Sequence, residues 1–408
     1  MKPLGPIPAG FAAIDGVLAL AGRPVTEWVE EAGDTPLFLY SADRIRARVA
    51  QLRAAMPERL ALHYAVKANP FGPVLEVFSE LVDGFDIASG GELALVQAAG
   101  IAAGRVSFAG PGKRDRELEA AIAAGVTLNC ESEAEARRAL AIGDALGVAP
   151  RLAIRVNPEF DLKGSGMKMG GGAKPFGLDA ERVPALAREI VAAGAQWRGF
   201  HIFAGSQALD GAAIAETQGQ ALDLAARLTR ESGVPLPHCN LGGGMGIPYF
   251  PGDMPVDVAL VGERLDERFA ALPDELAATD FCIELGRYLV GEAGVYLTRV
   301  IDRKISHGEV FLVTDGGLHH QLAASGNFGT VVRRNYPVAI ATRFDAEAEE
   351  EANVVGCLCT PLDRLADKGA FPRAEPGDLV AVFCAGAYGA SASPSAFLGQ
   401  GAALEMLV

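Results

Sequence analysis

The feature that most constrains the fold is a regular alternation of short β-branched runs with helical stretches between residues 60 and 287. The runs with strand character lie at 60–66, 85–88, 105–109, 126–130, 151–156, 198–203, 237–241 and 280–285. Between them are stretches rich in Ala, Leu, Glu and Arg, such as 91–100, 116–125, 133–147 and 212–232. Eight strand–helix units in this length predict an α/β fold of the (β/α)8 TIM-barrel type, because the alternative, a doubly wound sheet, usually has fewer strands.

The helical period fades after residue 287, where β-rich runs predict a separate all-β domain. These runs are VYLTRVIDR, VFLVTDGG, PVAIATRF, NVVGCLC and DLVAVFCA. A chain of 408 residues exceeds the usual size of one domain, which agrees with a large domain and a smaller one. We expect an N-terminal segment over 1–34 that packs with the β domain, a barrel over 35–287 and the β domain over 288–408.

The charge balance argues against two classes of partner. Lys and Arg number 36 and Asp and Glu 51, and the net charge of −15 repels nucleic-acid phosphates and anionic membrane surfaces. No apolar run is long enough for a transmembrane helix, and the first residues make a poor signal peptide. The six cysteines form no CxxC pair and no metal spacing with histidine, so we expect reduced thiols, no metal and a cytoplasmic location.

Two unusual features follow predicted strands, where barrel enzymes place their active sites. Lys67 closes the first strand in the phrase YAVKANP. Desolvation there would favour the neutral amine that forms imines, whereas a solvent-exposed lysine is the ordinary alternative. The seventh strand ends in Gly242, Gly243 and Gly244, whose N–H groups could converge on a phosphate; a tight turn is the alternative.

The sixth and eighth strands end in further candidates. Glu284 and Arg287 follow the eighth strand. A carboxylate can keep a pyridine nitrogen protonated and an arginine can bind phosphate, although a structural salt bridge would also account for the pair. On the sixth strand His201 and Phe203 face one side, with Ser206 just beyond, so a ring could contact a flat cofactor and the hydroxyl a phosphate.

Other candidates have less specific surroundings. Cys359, Asp363 and Tyr388 lie in the predicted β domain, where their local sequence says little. Asp315, followed by two glycines, is typical of a turn. The glycine-rich segment 164–177 is too long for a usual βα loop, which predicts either a lid over the site or a flexible loop.

Taken together, these motifs resemble the fold-type III pyridoxal-phosphate-dependent decarboxylases, the group that acts on diaminopimelate, ornithine and arginine. The likeness extends over residues 35 to 400 and is strongest in YAVKANP, FDIASGGEL, HIFAGSQ, LGGGMGIPYF, ELGR and CLCTPLD. Other phrases resemble the subgroup associated with exosortase A and exopolysaccharide loci, namely FAGPGK, GSGMKMGGG, ELGRYLVGEAGVYLTRVIDRK and TDGGLHHQLAASGNFG. That subgroup is similar to the decarboxylase of carrier-protein-bound glutamate in butirosin synthesis.

The resemblance implies a cofactor, pyridoxal 5′-phosphate, and a role for each candidate. Lys67 matches the Schiff-base lysine and Glu284 the partner of the ring nitrogen. Cys359 matches a cysteine that protonates the decarboxylated intermediate and reaches the site from the other subunit of a head-to-tail homodimer. The phosphate cradle is matched by Gly242, Gly243, Gly244, Ser206, Arg287 and Tyr388, and polar residues around the lysine by Asp86, Glu92 and Arg155.

Two departures from the family pattern bear on the ring contact and on the substrate. Many relatives stack a histidine on the ring, where this chain has Phe203, with His201 two residues earlier. Thr360 follows the cysteine where diamino-acid decarboxylases have an acid for the distal ammonium group. A hydroxyl cannot form that ion pair, so we expect an acidic or carrier-tethered amino acid, with Thr360 and Asp315 on the substrate side.

Three alternative functions share features of this sequence. A fold-type III amino-acid racemase would usually place arginine beside the ring nitrogen, and Glu284 argues against it. A non-catalytic carrier of pyridoxal phosphate would be a compact single barrel, which the β domain argues against. A sugar-phosphate enzyme without this cofactor would show no bound pyridoxal in its absorbance spectrum. We therefore predict an amino-acid decarboxylase, a carbon–carbon lyase.

Overall fold

The computed structural model describes residues 1–326 and 333–408, with only the backbone described at 167 and 168. The chain divides into two compact units. The barrel unit comprises Val49–Ile247 and Pro255–Gly286. The β unit comprises Met1–Arg48, Pro248–Met254 and Arg287–Val408.

The described residues form strands and α-helices in the following chain order. The strands are β1 (Ala12–Ile14), β2 (Val17–Leu20), β3 (Arg23–Pro24), β4 (Leu37–Tyr40), β5 (Leu60–Ala65), β6 (Gly84–Ile87), β7 (Val106–Phe108), β8 (Thr127–Cys130), β9 (Arg151–Asn157), β10 (Met167–Lys168), β11 (Leu178–Asp179), β12 (Gln196–Ile202), β13 (Gly205–Ser206), β14 (His238–Asn240), β15 (Asp280–Leu285), β16 (Gly294–Ser306), β17 (Glu309–Thr314), β18 (Val338–Ile340), β19 (Glu350–Val355), β20 (Arg364–Phe371), β21 (Leu379–Val382) and β22 (Leu404–Leu407). The α-helices are α1 (Val25–Ala32), α2 (Ala42–Ala55), α3 (Gly72–Leu81), α4 (Gly90–Ala98), α5 (Asp115–Ala124), α6 (Glu133–Leu146), α7 (Val183–Ala192), α8 (Gly211–Ser232), α9 (Val258–Ala270) and α10 (Arg287–Val290).

The barrel unit is a closed ring of parallel strands in the order β5-β6-β7-β8-β9-β12-β14-β15, with β15 returning to β5. The predicted (β/α)8 fold is therefore confirmed. Each of the eight predicted strands is present, with ends displaced by no more than two residues, because the apolar runs mark the strands directly. The short strand β11 adds to the ring by pairing with β9.

Local sequence fixes where the barrel helices begin and end. Ser89, Ser132 and Asp210 each accept a hydrogen bond from a first-turn N–H group, at the starts of α4, α6 and α8. Gly125 and Gly147 end α5 and α6 in the left-handed conformation that favours glycine. Because the strands are parallel, their carboxyl ends meet at one rim of the barrel, where the βα loops begin.

The β unit is organised around the long strand β16. This strand pairs antiparallel with β17, β21 and β4, and β22 pairs parallel with β4. Residues from the N-terminal segment, among them Leu18 and Val25, share a buried apolar cluster with Val295, Leu379 and Phe383. Strand β4 lies after residue 35, in the range predicted for the barrel, and pairs in this sheet instead.

Two predicted β runs form shorter strands than expected. PVAIATRF is a strand only over β18 and then turns at 341–343. NVVGCLC is a strand only as far as Val355, because the next residues wrap around Asp363. The Asp363 carboxylate accepts the N–H groups of Leu318 and Leu358, at 2.7 and 2.9 Å, and these bonds replace a strand ladder. Strand β20 was not predicted.

None of the helices in the described part of the chain is both long and apolar enough to cross a membrane.

Candidate active site

Lys67 lies at the barrel rim, in a short 3-10 turn over Val66–Ala68 that directly follows β5. Its Nζ atom is 5.6 Å from the centre of the Phe203 ring. The side chain is exposed, so the prediction that this amine is desolvated is wrong. An accessible primary amine can nevertheless form an imine with an aldehyde cofactor.

Glu284 is a buried acid on β15 of the barrel. Its Oε2 atom accepts a hydrogen bond from Asn240 Nδ2 at 3.1 Å. The same atom lies 3.0 Å from His201 Nε2, but the angles of this second contact are not those of a hydrogen bond. Burial alone would raise the pKa of Glu284, but the charges of His201, Lys67 and Arg155 lower it to about 2. The side chain is therefore a carboxylate at neutral pH, although it is only 7% exposed.

The three glycines after β14 are held in close contact with neighbouring backbone. A Cβ on Gly243 would be 1.8 Å from the Glu284 carbonyl oxygen, and one on Gly244 would be 2.7 Å from that of Gly205. Gly242 and Gly244 have φ values of 73° and 91°, which favour glycine. The Gly242 N–H donates to Asn240 Oδ1 at 2.8 Å. Within the described residues, no protein acceptor takes the Gly243 and Gly244 N–H groups.

Ser206 lies beside the segment that was predicted to be a lid or a flexible loop. Strand β10, within that segment, pairs antiparallel with β13, which contains Ser206. Met169 N–H donates to the Ala204 carbonyl at 3.1 Å, and Gly177 N–H donates to the Glu131 carboxylate at 2.7 Å. These bonds attach the segment to the barrel at several points, and its action as a lid stays a prediction.

The polar residues expected around the lysine take separate partners. Asp86 contacts His63 Nδ1 at 3.2 Å, and Glu92 accepts the Ala88 N–H at 2.6 Å. Burial raises the pKa of Glu92, an effect that the Ala88 N–H and the charge of Lys67 only partly offset.

Arg155 forms a buried ion pair within the barrel. Its Nη1 atom donates to Glu131 Oε1 at 2.8 Å, and the guanidinium lies 5.1 Å from the Phe176 ring. Burial would raise the pKa of Glu131, but the nearby Arg155 charge and the Gly177 N–H lower it. Glu131 was not predicted as a site residue. It directly follows β8, and its carboxylate bonds to Arg155 on β9 and to Gly177 in the glycine-rich segment.

Arg287 and Tyr388 belong to the β unit. Arg287 Nη1 donates to the hydroxyl of Tyr249 at 2.8 Å, and its guanidinium carbon lies 4.6 Å from the Tyr388 ring. The Arg287 Nε atom is buried and, within the described residues, lacks a hydrogen-bond partner. Tyr388 adopts a φ of 58°, which is strained for tyrosine and is a feature of functional sites. Tyr249 lies in the phrase LGGGMGIPYF and was not predicted as a site residue.

Cys359 and Thr360 lie in the loop that wraps around Asp363. Cys359 is exposed, and Thr360 Oγ1 accepts the Leu362 N–H at 3.4 Å. Asp315 is engaged elsewhere in the β unit, because its Oδ1 atom accepts the Thr298 hydroxyl at 2.6 Å and the Arg299 N–H at 2.8 Å. Its other oxygen accepts the Thr35 hydroxyl, so both oxygens have structural partners. Asp363 likewise acts within the fold.

The barrel rim fits pyridoxal 5′-phosphate by the chemistry of its own residues. Lys67 offers a primary amine and Glu284 a buried carboxylate. Gly243 and Gly244 offer two N–H groups, in a loop packed too closely for a Cβ atom. An aldehyde, a pyridine nitrogen and a phosphate are the respective partners of these groups.

Comparison with known proteins gives a family match over the barrel and relatives over most of the chain. Residues 42–291 match the family described as pyridoxal-dependent decarboxylase, pyridoxal binding domain. The L-glutamyl-[BtrI acyl-carrier protein] decarboxylase of Niallia circulans is 36% identical over 380 residues, covering 92% of this chain and 89% of the relative. The diaminopimelate decarboxylase of Archaeoglobus fulgidus is 33% identical over 401 residues, covering 98% and 93%.

Solved structures agree in fold. The crystal structure of diaminopimelate decarboxylase from Helicobacter pylori, complexed with L-lysine, is 26% identical, with a TM-score of 0.83 and 94% of each chain covered. The diaminopimelate decarboxylase of M. jannaschii, at 24% identity, has a TM-score of 0.87 over 98% of this chain and 93% of its own, which shows the shared fold.

Proposed function

Because this chain belongs to the pyridoxal-dependent decarboxylases, we propose that it removes the α-carboxyl group from an acidic amino acid held on an acyl-carrier protein. The class is a carbon–carbon lyase that uses pyridoxal 5′-phosphate and acts on an amino acid. The reaction type, decarboxylation, rests chiefly on Glu284. This residue is a buried carboxylate in the barrel interior that the charges of His201 and Lys67 hold ionised.

Bound pyridoxal 5′-phosphate supplies a ring that accepts the electron pair of the broken Cα–carboxylate bond. Glu284 keeps a proton on the ring nitrogen, which makes the ring a stronger electron acceptor. A racemase benefits from a weaker acceptor, so an acid at this position favours decarboxylation. Lys67 would hold the cofactor through its amine, the group that an incoming substrate amine would replace.

The phosphate is assigned to residues that combine N–H donors with positive charge. Gly243 and Gly244 offer N–H groups, and Ser206 offers a hydroxyl. Arg287, whose Nε atom lacks a partner within the described residues, and Tyr388 complete the set by resemblance to the family. Phe203 is assigned to contact with the cofactor, since its ring lies next to Lys67 Nζ.

Cys359 is assigned to protonation of Cα after CO2 leaves. An exposed thiol can serve a neighbouring subunit, and we propose a head-to-tail homodimer in which each Cys359 acts with the Lys67 of its partner. Two further parts of the proposal rest on the sequence alone: a cytoplasmic location on the expected reduced cysteines, and an association with exopolysaccharide loci on the phrases that resemble the subgroup.

The proposed substrate rests on one residue and one relative. Thr360, next to Cys359, is neutral and hydrogen-bonds within its own loop, so it offers no anion to a distal ammonium group. The relative from Niallia circulans acts, by its name, on a glutamyl group attached to a carrier protein. Asp315, also considered for the substrate side, is less suited because both of its oxygens bind within the β unit.

A substrate panel tests the proposal directly. CO2 release is measured with free amino acids and with the same amino acids as carrier-protein thioesters, using Lys67→Ala as the inactive control. We expect turnover of a thioester-linked acidic amino acid and little turnover of free diaminopimelate, lysine or ornithine. Efficient release from a free diamino acid would refute the substrate while leaving the reaction class intact.

A variant pair tests the role of Thr360. Because the α-carboxyl group must stay free to leave as CO2, the thioester is formed by the distal carboxyl group, which is then uncharged. Thr360→Glu should lower turnover of this substrate because it places an unpaired carboxylate beside a neutral group, whereas Thr360→Ser should retain turnover. Equal activity of the two variants would remove Thr360 from the substrate side.

A further inference from the structure

A second polar cluster lies inside the barrel, below the level of Glu284. Cys282 precedes Glu284 by two residues on β15 and therefore faces the same side of the strand. It meets His238 from β14 and His63 from β5, the two strands that flank β15. The potential ligand atoms of these three residues all lie within 4.8 Å of one another, and Cys282 Sγ is 3.3 Å from His238 Nε2.

We propose that His63, His238 and Cys282 bind a divalent transition-metal ion of the zinc class. Two imidazoles and a thiolate are a donor set that Zn²⁺ and Co²⁺ accept. Tetrahedral zinc with bonds of about 2.0 to 2.3 Å separates its ligand atoms by roughly 3.3 to 3.8 Å. The observed spacing reaches this range through small side-chain rotations, and Cys282 loses its thiol proton on binding.

A metal-binding histidine usually donates its other ring N–H to a carboxylate, and His63 has such a partner. Its Nδ1 atom lies 3.2 Å from Asp86 Oδ2, which leaves Nε2 for the ion. The other Asp86 oxygen has no partner among the described residues. Gly84 makes room for the ring, because a Cβ there would lie 2.4 to 2.6 Å from three of the His63 ring atoms.

A cavity beside the cluster leaves space for a further ligand. It measures about 140 Å³ and is lined by His63, His238, Arg198 and Asn240, among others. A water or a small anion could occupy a fourth coordination position from this side. The Cys282 thiolate and the Asp86 carboxylate offset the two charges of the ion, and Arg198 would favour an anion as the remaining ligand.

This site does not depend on the identity of the amino-acid substrate. The three residues come from strands that are distant in sequence, which is why their linear spacing showed no metal motif. Without an ion, the same groups would form a hydrogen-bonded chain from Asp86 through His63 and Cys282 to His238, and metal analysis separates the two cases.

The test uses tag-free, cofactor-loaded protein that has been treated with a chelator. Titration with Co²⁺ should give one bound ion per chain and visible absorption bands beyond the range of the cofactor, and Zn²⁺ should displace it. X-ray absorption of the zinc-loaded protein should show one sulfur and two nitrogen ligands, a measurement that needs no variant. Absence of a bound ion, or a shell without sulfur, would overturn the proposal.

Variants locate the ion. Cys282→Ser and His238→Gln should each abolish stoichiometric binding, and Asp86→Asn should weaken it by about 10- to 100-fold, because the His63 ring would lose the carboxylate that orients it. Cys130→Ser, a buried cysteine on β8, and His307→Gln are matched controls that should bind like wild type. Metal retained equally in all of these variants would place the ion elsewhere and contradict the assignment.

Discussion

His201 Nε2 lies 3.0 Å from Glu284 Oε2, and both side chains are almost fully buried in the barrel. The histidine therefore faces the acid, while Phe203, two residues later on the chain, is the ring next to Lys67. We propose that contact with the cofactor ring falls to Phe203 and electrostatic support of the acid to His201.

Replacing His201 should therefore act through Glu284. His201→Leu removes the largest favourable charge beside the carboxylate, and we expect kcat to fall by about 10²-fold, the usual cost of losing one electrostatic partner in an active site. His201→Gln keeps a polar side chain beside the carboxylate and should recover part of the loss. Steady-state kinetics on the two variants, with circular dichroism to check folding, measures this. Equal kcat values for His201→Leu and wild type would exclude the role.

Gly243→Ala should damage the glycine loop. Its Cβ would be 1.8 Å from the Glu284 carbonyl oxygen, so the backbone must shift, at a cost of about 1 to 3 kcal/mol in the free energy of unfolding. The loop would also present its N–H groups poorly, and the cofactor should bind more weakly. Gly112→Ala is the control, because a Cβ there meets no atom within 4 Å. Cofactor titration by absorbance and thermal unfolding compare the two, and matching results would show that the loop tolerates a side chain.

Glu131→Gln should be strongly destabilising because it leaves Arg155 as an uncompensated buried charge. We expect a loss of about 3 to 5 kcal/mol in the free energy of unfolding. Glu189→Gln, which breaks the exposed pair with Arg137, should cost less than about 1 kcal/mol. Urea unfolding of both variants makes the comparison, and similar losses would contradict the distinction between buried and exposed pairs.

The same ion pair predicts a pH dependence with a definite sign. The pKa of Glu131 is lowered in the folded state from its ordinary value of 4.5. The folded state therefore binds fewer protons than the unfolded state, so this group stabilises the fold above pH 4.5 and loses that effect as the pH falls through the folded pKa. Unfolding curves below pH 4.5 should show a smaller acid loss in Glu131→Gln than in wild type. An unchanged slope would remove Glu131 as a contributor.

The proposed shared active site predicts complementation between two inactive variants. Lys67→Ala and Cys359→Ala homodimers should each have little activity. After random exchange of subunits, half of the dimers are mixed and each has one intact site, so activity should recover to roughly a quarter of wild type. Lys67→Ala mixed with itself is the control. No recovery despite verified exchange of subunits would place each Cys359 with the Lys67 of its own chain.

Some elements of the fold could be predicted from local sequence alone. The eight barrel strands follow from apolar runs of strand length, and the helix ends at Ser89, Ser132 and Gly147 follow from capping chemistry. The candidates Lys67 and Gly243 were found because each follows a strand, and in a parallel barrel that position alone sends them to one rim. The end of β19 could not be found this way, because Asp363 replaces the ladder with bonds to residues distant in sequence.

The sequence by itself determined the barrel, the family and the residue types at the strand ends, because strand period and short motifs are local properties. Only the tertiary structure decided which side chains meet: His201 with Glu284, Arg155 with Glu131, and His63 with His238 and Cys282. Arg155 and Glu131 come from adjacent strands, whereas His201 and Glu284 meet across the intervening strand β14. Their relative register and the inward direction of their side chains arise only when the barrel closes.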